Sequence, residues 1–281
     1  MQPYVKFLPV CPEVEIGLGT PRDPIKVVAT KTEKKLIQPS SERDLSEPMR
    51  HFAVRFLDKT EVVDGFLLKS RSPSCGLKDV KFYPRPALSA ANARGAGFFG
   101  EQVLKRFGHL AVEDEARLNN TAIRHHYLTK LFCLADFRHA KRSGSMRRLV
   151  DFHARHKFLL MTYRETSLRE MGRIVANASG LSAPLVFGEY EKELFRALER
   201  PPRVSNTVNA LQHAFGFFSK DLTAKEKAHF LGLLEKYRKG RGVLAVLLGL
   251  LGSWTIRFDK TYLKSQAFFE PYPEKLMEEI L

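Results

Sequence analysis

Asn119-Asn120-Thr121-Ala122-Ile123-Arg124-His125-His126-Tyr127-Leu128-Thr129-Lys130-Leu131-Phe132-Cys133-Leu134-Ala135-Asp136-Phe137-Arg138-His139 is where the chain changes character. Apolar residues at 123, 127, 128, 131 and 134 recur with a helical period, and no glycine or proline interrupts them. The same texture continues downstream. Helices are expected over Ile123–His139, Met146–Tyr163, Leu168–Asn177, Leu185–Leu198, Val208–Phe218, Ala224–Lys239 and Val243–Phe258, separated by short polar or Gly/Pro breaks.

Upstream the pattern is different. Short β-type runs, Tyr4–Val10, Ile25–Ala29 and Val62–Leu68, alternate with turn signals and two helical stretches. Asp44 is positioned to cap a helix over Leu45–Leu57, and Phe98–Phe107 follows Gly95 and Gly97 as a second helix. Strands alternating with helices read as an α/β domain. The expected organisation is therefore an α/β domain over residues 1–118 and an all-α domain over residues 119–281.

The charge is unevenly divided between the two. Residues 1–118 carry 19 basic and 15 acidic side chains, a net of +4. Residues 119–281 carry 27 and 16, a net of +11, so the helical part supplies most of the chain's +15. An excess of that size favours an anionic partner, and phosphate contacts would hold a nucleic acid without reading its sequence. The densest stretch offers Arg124, Lys130, Arg142, Arg147, Arg148, Arg155 and Lys157 as RNA-contacting cations. The plainer alternative is a solvated helix face, in which Arg147–Asp151 and Asp151–Arg155 pair at i,i+4.

Several classes fall away. The longest apolar run, Val243 to Gly252, is about half of what a membrane span needs, and the N-terminus opens on a strand-like run rather than a secretory signal. Three widely spaced cysteines do not make a disulfide framework, and a bacterial cytoplasm is the expected setting, with no membrane and no obligate protein partner. Gly95, Gly97 and Gly100 are too close together for a phosphate loop, and no Lys-Ser/Thr follows.

Two cysteines lie in Pro/Gly-flanked segments, each after an expected strand. Cys11 stands in Val10-Cys11-Pro12-Glu13, followed by Gly17-Leu18-Gly19-Thr20-Pro21-Arg22. Cys75 stands in Leu68-Lys69-Ser70-Arg71-Ser72-Pro73-Ser74-Cys75-Gly76. Ligands gather at strand ends of α/β sheets, and thiolates there suit soft metals. A buried, inert pair is the competing reading.

These two strings resemble the thiouracil desulfidase (TudS) family. The remainder resembles the YbgA-like domain often fused behind it, through Leu149-Val150-Asp151-Phe152-His153-Ala154-Arg155-His156-Lys157-Phe158-Leu159-Leu160-Met161, Gln212-His213-Ala214-Phe215-Gly216-Phe217-Phe218, and Gln266 through Pro271-Tyr272-Pro273. The fusion is similar to the RudS-type desulfidases that remove sulfur from 4-thiouridine in tRNA.

That resemblance implies a [4Fe–4S] cluster with one iron open to the substrate sulfur, and a hydrolytic exchange of sulfur for oxygen without net redox change. It carries over Cys11 and Cys75 as cluster ligands, Glu13 as general acid/base and Ser72 as a hydrogen-bonding partner of the substrate. Lys69 and Ser74 follow as pocket residues. Family members usually begin with a strand ending in a Ser-x-Cys-Leu-x-Gly-like motif that supplies the first cluster cysteine. No such segment precedes Cys11 here, so two motif thiols are expected where the family has three. Cys133, inside an amphipathic helix, reads as a buried thiol rather than the third ligand.

The expected function is therefore desulfuration of 4-thiouridine in tRNA, with a desulfidase of free thiouracil or thionucleotides and a non-catalytic RNA-binding remnant as the alternatives. His153 and His156, three apart on a helix, favour phosphate contact or core hydrogen bonding over zinc. Phe215, Phe217 and Phe218 favour core over a base-stacking platform.

Overall fold

The computed structural model describes residues 1, 3–30, 33–85 and 90–278. The chain divides into two compact units, Met1–Tyr127 and Leu128–Leu281, an α/β domain and a helical domain. The division falls inside a single helix, α4 (Thr121–Arg142), rather than in a linker.

The first unit begins with a one-turn helix, α1 (Pro12–Glu15). Strands β1 (Lys26–Ala29), β2 (Lys34–Gln38) and β3 (Arg43–Asp44) follow, then α2 (Ser46–Lys59). After these come β4 (Gly65–Leu68), β5 (Val80–Tyr83), β6 (Ala93–Gly95), α3 (Phe98–Phe107) and β7 (Ala111–Asp114). Five strands form one sheet in the order β3-β2-β1-β5-β6. Only the β1–β5 pair in it is parallel, with Val27 opposite Phe82. A separate parallel pair joins β4 to β7, Gly65 opposite Ala111. Parallel neighbours need a crossover, and α3 lies on the connection that supplies it.

Helix α2 buries Met49, Phe52, Ala53 and Leu57, a spacing that puts them on one stripe. That stripe packs with Val27, Leu36, Phe99 and Val103, and the rings of Phe52 and Phe56 stand 6.1 and 6.0 Å from Phe99. Asp44 caps from one residue further upstream than a conventional N-cap. Leu45 is the cap position, while Asp44 Oδ1 accepts the Ser46 N–H at 2.9 Å.

One expected strand is absent. Tyr4 lies in a turn, its N–H bonded to the Met1 carbonyl at 2.9 Å, and residues 5–10 pair with no described strand. Phe7 and Leu8 are 46% and 68% exposed, and Pro9 has no N–H to give a ladder. β-type residues form a strand only where a pleated neighbour buries one face. Val62–Leu68 shortens to β4 for a related reason, since only four residues meet β7.

The second unit contains α5 (Met146–Tyr163), α6 (Glu165–Ala176), α7 (Ala183–Ala197), α8 (Val204–Gly216), α9 (Ala224–Arg238), α10 (Leu244–Arg257), α11 (Thr261–Lys264) and α12 (Glu274–Glu278). Its core is built on Leu149, Phe152, Leu160, Met171, Tyr190, Leu194, Leu211 and Phe230, all nearly inaccessible. Helix α6 starts three residues before the expected Leu168, because Arg164 ends α5 and caps α6 at once. The bend is a single extended residue, φ −150°, with no glycine or proline to mark it. Gln266 is buried at 3% exposure and fastens the C-terminal segment to α5. Its amide donates to the Ala154 carbonyl at 2.8 Å and accepts the Phe158 N–H at 3.4 Å.

Candidate active site

Cys11 is the N-cap of α1, with Pro12 at the first helical position, where its missing N–H costs nothing. One turn later the chain doubles back. Gly17 and Gly19 have φ of +85° and +67°, a region open to glycine but strained for other residues. The resulting loop returns Arg22 to Glu13. Arg22 Nε donates to Glu13 Oε2 at 2.6 Å, and Nη1 donates to the Gly19 carbonyl at 2.8 Å. Arg22 Nη2 lies 3.5 Å from Cys11 Sγ.

The second cysteine segment follows β4. Arg71 takes a left-handed φ of +59° and turns the chain, after which Ser72 organises the loop. Its Oγ accepts the Ser74 and Cys75 N–H groups at 3.3 and 3.1 Å, and its carbonyl accepts the Gly76 N–H at 2.8 Å. Helix α3 then closes on the loop. The N–H groups of Gly97, Phe98, Phe99 and Gly100, which a helix start leaves without intrahelical partners, donate to the carbonyls of Gly76, Pro73, Ser74 and Ser74. This close approach is what the glycines allow. A Cβ on Gly97 would sit 2.5 Å from Ser74 O, and one on Gly100 would sit 2.5 Å from Gly76 O.

Glu13 and Ser74 join the two segments. Ser74 is fully buried and its Oγ donates to Glu13 Oε1 at 2.6 Å, while Ser72 Oγ lies 3.3 Å from the same oxygen. A hydroxyl has one proton. Ser74 gives it to Glu13 at 2.6 Å rather than to Cys75 Sγ at 3.7 Å. Ser72, 2.9 Å from Ser74 Oγ, then donates to Ser74 or Glu13. Burial pushes the Cys75 thiol up to about 11, and the nearby Glu13 charge acts in the same direction. The site is thus a carboxylate held from three sides between two half-exposed thiols.

Cys11, Glu13, Ser72, Ser74 and Cys75 come together here. Lys69 does not join them: it is exposed and paired with Glu115 at 2.6 Å, whose other oxygen accepts the Ser70 N–H. Lys69 therefore anchors the start of the loop instead of lining its interior. Arg22 was not singled out by sequence reasoning, although the Gly-x-Gly-Thr-Pro-Arg string contained it; the positive-φ glycines were the available signal.

The cluster implied by the resemblance takes three thiolates, and the described residues of this unit place two. Cys133 belongs to the other unit, is 1% exposed, and has its pKa raised strongly by burial. Among the described residues no group of three or more His, Cys, Asp and Glu is placed to hold a metal ion. Cys11 and Cys75 fit two positions of the set and leave it incomplete.

Of the expected RNA-contacting cations, Arg142, Arg147, Arg148 and Lys157 are exposed and form no ion pair with described residues. Arg155 is exposed but bonded to Asp136, and Arg124 is half-buried. Lys130 is a correction. It is 6% exposed, and desolvation lowers its pKa to about 8, so its ammonium is not presented to a phosphate. The i,i+4 pairs of the plainer alternative, Arg147–Asp151 and Asp151–Arg155, do not form; Arg155 bonds to Asp136 on α4 instead. His156 bonds through Nδ1 to the Phe152 carbonyl at 3.0 Å, and His153 Nδ1 meets Tyr190 Oη at 3.1 Å. Phe215 stacks on Phe230 at 4.5 Å and Phe218 is buried beside Trp254, whereas Phe217 is 43% exposed against Tyr262.

Residues 1–115 match the family described as 2-thiouracil desulfurase, and residues 157–273 match the family described as Protein of unknown function (DUF1722). The chain is 24% identical over 148 residues to a protein of Escherichia coli (strain K12) described as "Uncharacterized protein YbgA". That alignment covers 52% of this chain and 88% of the relative. No solved structure matches. At the level of the family, the first match supports desulfuration of a thiouracil-type substrate.

Proposed function

The chain is a fusion of a 2-thiouracil desulfurase domain with a YbgA-like domain, and from that premise we propose that it hydrolyses the thiocarbonyl of 4-thiouridine in tRNA to uridine, in the cytoplasm. The observation that carries this reading is the placement of Glu13, held by Ser74, Ser72 and Arg22 between the two motif cysteines. Exchange of sulfur for oxygen consumes one water and releases sulfide, with no change in oxidation state. It needs a group that takes a proton from the attacking water and returns one to the leaving sulfur, which is general acid–base work for Glu13.

On substrate binding Ser72 turns its hydroxyl proton from Ser74 or Glu13 to a ring heteroatom of the pyrimidine. Arg22 keeps the Glu13 carboxylate facing the thiols. When bound, the [4Fe–4S] cluster implied by the resemblance would supply a Lewis-acidic iron for the substrate sulfur, with Cys11 and Cys75 as two of its ligands. The helical domain, with net charge +11 over residues 119–281, supplies the grip on the tRNA backbone. No helix among the described residues is long and apolar enough to cross a membrane.

The test is anaerobic iron–sulfur reconstitution of the chain, followed by nucleoside analysis of tRNA and by an assay on free 2-thiouracil. Loss of 4-thiouridine that Cys75→Ser and Glu13→Gln abolish is the expected result. Turnover of free thiouracil alone would confine the activity to small molecules. An iron-free, inactive chain that still binds tRNA would overturn the enzymatic reading.

A further inference from the structure

The helical unit contains a cavity that the desulfurase site does not explain. It is open to solvent, about 700 Å³, and lies between the C-terminal half of α4, the first half of α5 and the segment around α11. Its volume is within the roughly 300–1,000 Å³ range of small-molecule sites. Its lining brings together both charge signs and an aromatic side chain.

Arg148 and Asp151 both line it, three residues apart on α5, yet neither forms an ion pair with any described residue. Opposite charges at that spacing ordinarily meet. The neighbouring Arg155 has been drawn off by Asp136, which also lies 3.5 Å from His156 Nε2, so those lining charges are satisfied within the protein whereas Arg148 and Asp151 are not. Tyr262 forms one wall, 38% exposed and backed by Phe217 at a ring separation of 5.7 Å. Arg147 and Arg142 add exposed positive charge nearby on α5 and at the end of α4.

We infer that this cavity binds one ribonucleotide of an RNA strand, with the phosphate on Arg148, the ribose 2′-hydroxyl on Asp151 and the base against Tyr262. A free cation, a free hydrogen-bond acceptor and an aromatic face are the three groups a nucleotide presents partners for. The carboxylate selects ribose over deoxyribose, since the 2′-hydroxyl is the donor that DNA lacks. Stacking against Tyr262 tolerates any base, so the site grips without reading sequence. The inference rests on the proposal that the helical domain engages RNA, and it assigns that engagement a definite place.

The experiment measures binding of the full chain to a labelled short oligouridylate and to its deoxy counterpart across a salt series. Arg148→Ala is expected to weaken RNA binding about ten-fold and to reduce the slope of log affinity against log salt by about 0.7, the value for one phosphate contact on a single strand. Asp151→Ala is expected to abolish the preference for the ribo- over the deoxy-oligomer. Arg241→Ala, an exposed cation outside the cavity, serves as the control. Wild-type RNA binding that neither cavity substitution changes, or that Arg241→Ala weakens as much as Arg148→Ala, would overturn the cavity assignment alone. Absence of RNA binding by the wild-type chain would overturn both this inference and the proposed role of the helical domain.

Discussion

Arg22 reaches Glu13 and Cys11 with the two ends of one guanidinium, Nε at 2.6 Å from Glu13 Oε2 and Nη2 at 3.5 Å from Cys11 Sγ. A planar fork fixed to both groups sets the direction of the carboxylate relative to the thiol, which a point charge could not do. On the other side Ser74 and Ser72 bind the second carboxylate oxygen. The motif that begins at Cys11 and the motif that ends at Cys75 are therefore mechanically one object, although 64 positions separate them.

Glu13→Gln is nearly isosteric and its amide oxygen can still accept from Ser74. In the reconstituted protein it is expected to lower the desulfuration rate constant about 10²–10⁴-fold, the range for loss of a positioned acid–base group. Binding of tRNA should be unchanged. Single-turnover kinetics and filter binding check the two halves, and retention of more than a tenth of the activity would remove Glu13 from the proton transfer.

Gly100→Ala is expected to destabilise the first unit by about 1–3 kcal/mol, the usual cost of forcing extra atoms into a packed contact. The new Cβ would stand 2.5 Å from the Gly76 carbonyl oxygen and 2.7 Å from that of Cys75, backbone atoms that cannot rotate away. Urea unfolding read by circular dichroism measures the shift. Gly188→Ala, in a helix with nothing within 4 Å of the added carbon, should be neutral or stabilising in the same assay.

These glycines show what the sequence could and could not convey. Gly97 and Gly100 lie too close together for a phosphate loop, and the structure sets them instead against a loop more than twenty residues upstream. Spacing along one segment carries no record of such a contact. Arg22 was hidden for the same reason. Helices α3 and α5 were legible to the residue because their apolar stripes lie within one segment. Strands β2, β5, β6 and β7 are three to five residues long and gain definition only from their neighbours in the sheets. Cys11, Glu13, Ser72 and Cys75 were legible through the motifs, whereas Lys69 sat in the motif and turned outward to Glu115.

The three thiols should separate by reactivity. Cys133, fully buried with its pKa raised by burial, should resist alkylation until the chain unfolds. Cys75, pushed up to about 11, should alkylate slowly at pH 8 and faster as pH rises toward that value. Peptide mass spectrometry after timed iodoacetamide treatment gives the order. Labelling of Cys133 in the native protein before Cys75 would contradict the burial assigned to both.

His156 makes the helical unit acid-sensitive. Burial lowers its pKa to about 4 from an ordinary 6.5, and the Asp136 charge and Phe152 carbonyl offset only part of that. Between those values the unfolded chain binds a proton that the folded chain refuses, so stability falls as pH drops from 6.5 toward 4. Chemical denaturation midpoints at a series of pH values should show this slope. His156→Phe, which cannot take up a proton, should flatten it.

Lys130→Met tests the placement of the one expected RNA-contacting cation that turned out to be buried. Its pKa, lowered to about 8 by desolvation, means that folding is penalised wherever the unfolded lysine is charged and the folded one must either lose its proton or hold a charge out of water. That penalty grows as pH falls from 10.5 to 8 and is constant below. Methionine fills similar volume without the charge, so the substitution is expected to stabilise the protein at pH 7 by on the order of 1–3 kcal/mol. Affinity for tRNA and its salt dependence should stay at the wild-type values, because no phosphate contact is removed. A weaker, less salt-sensitive complex would mean that Lys130 emerges to meet the RNA.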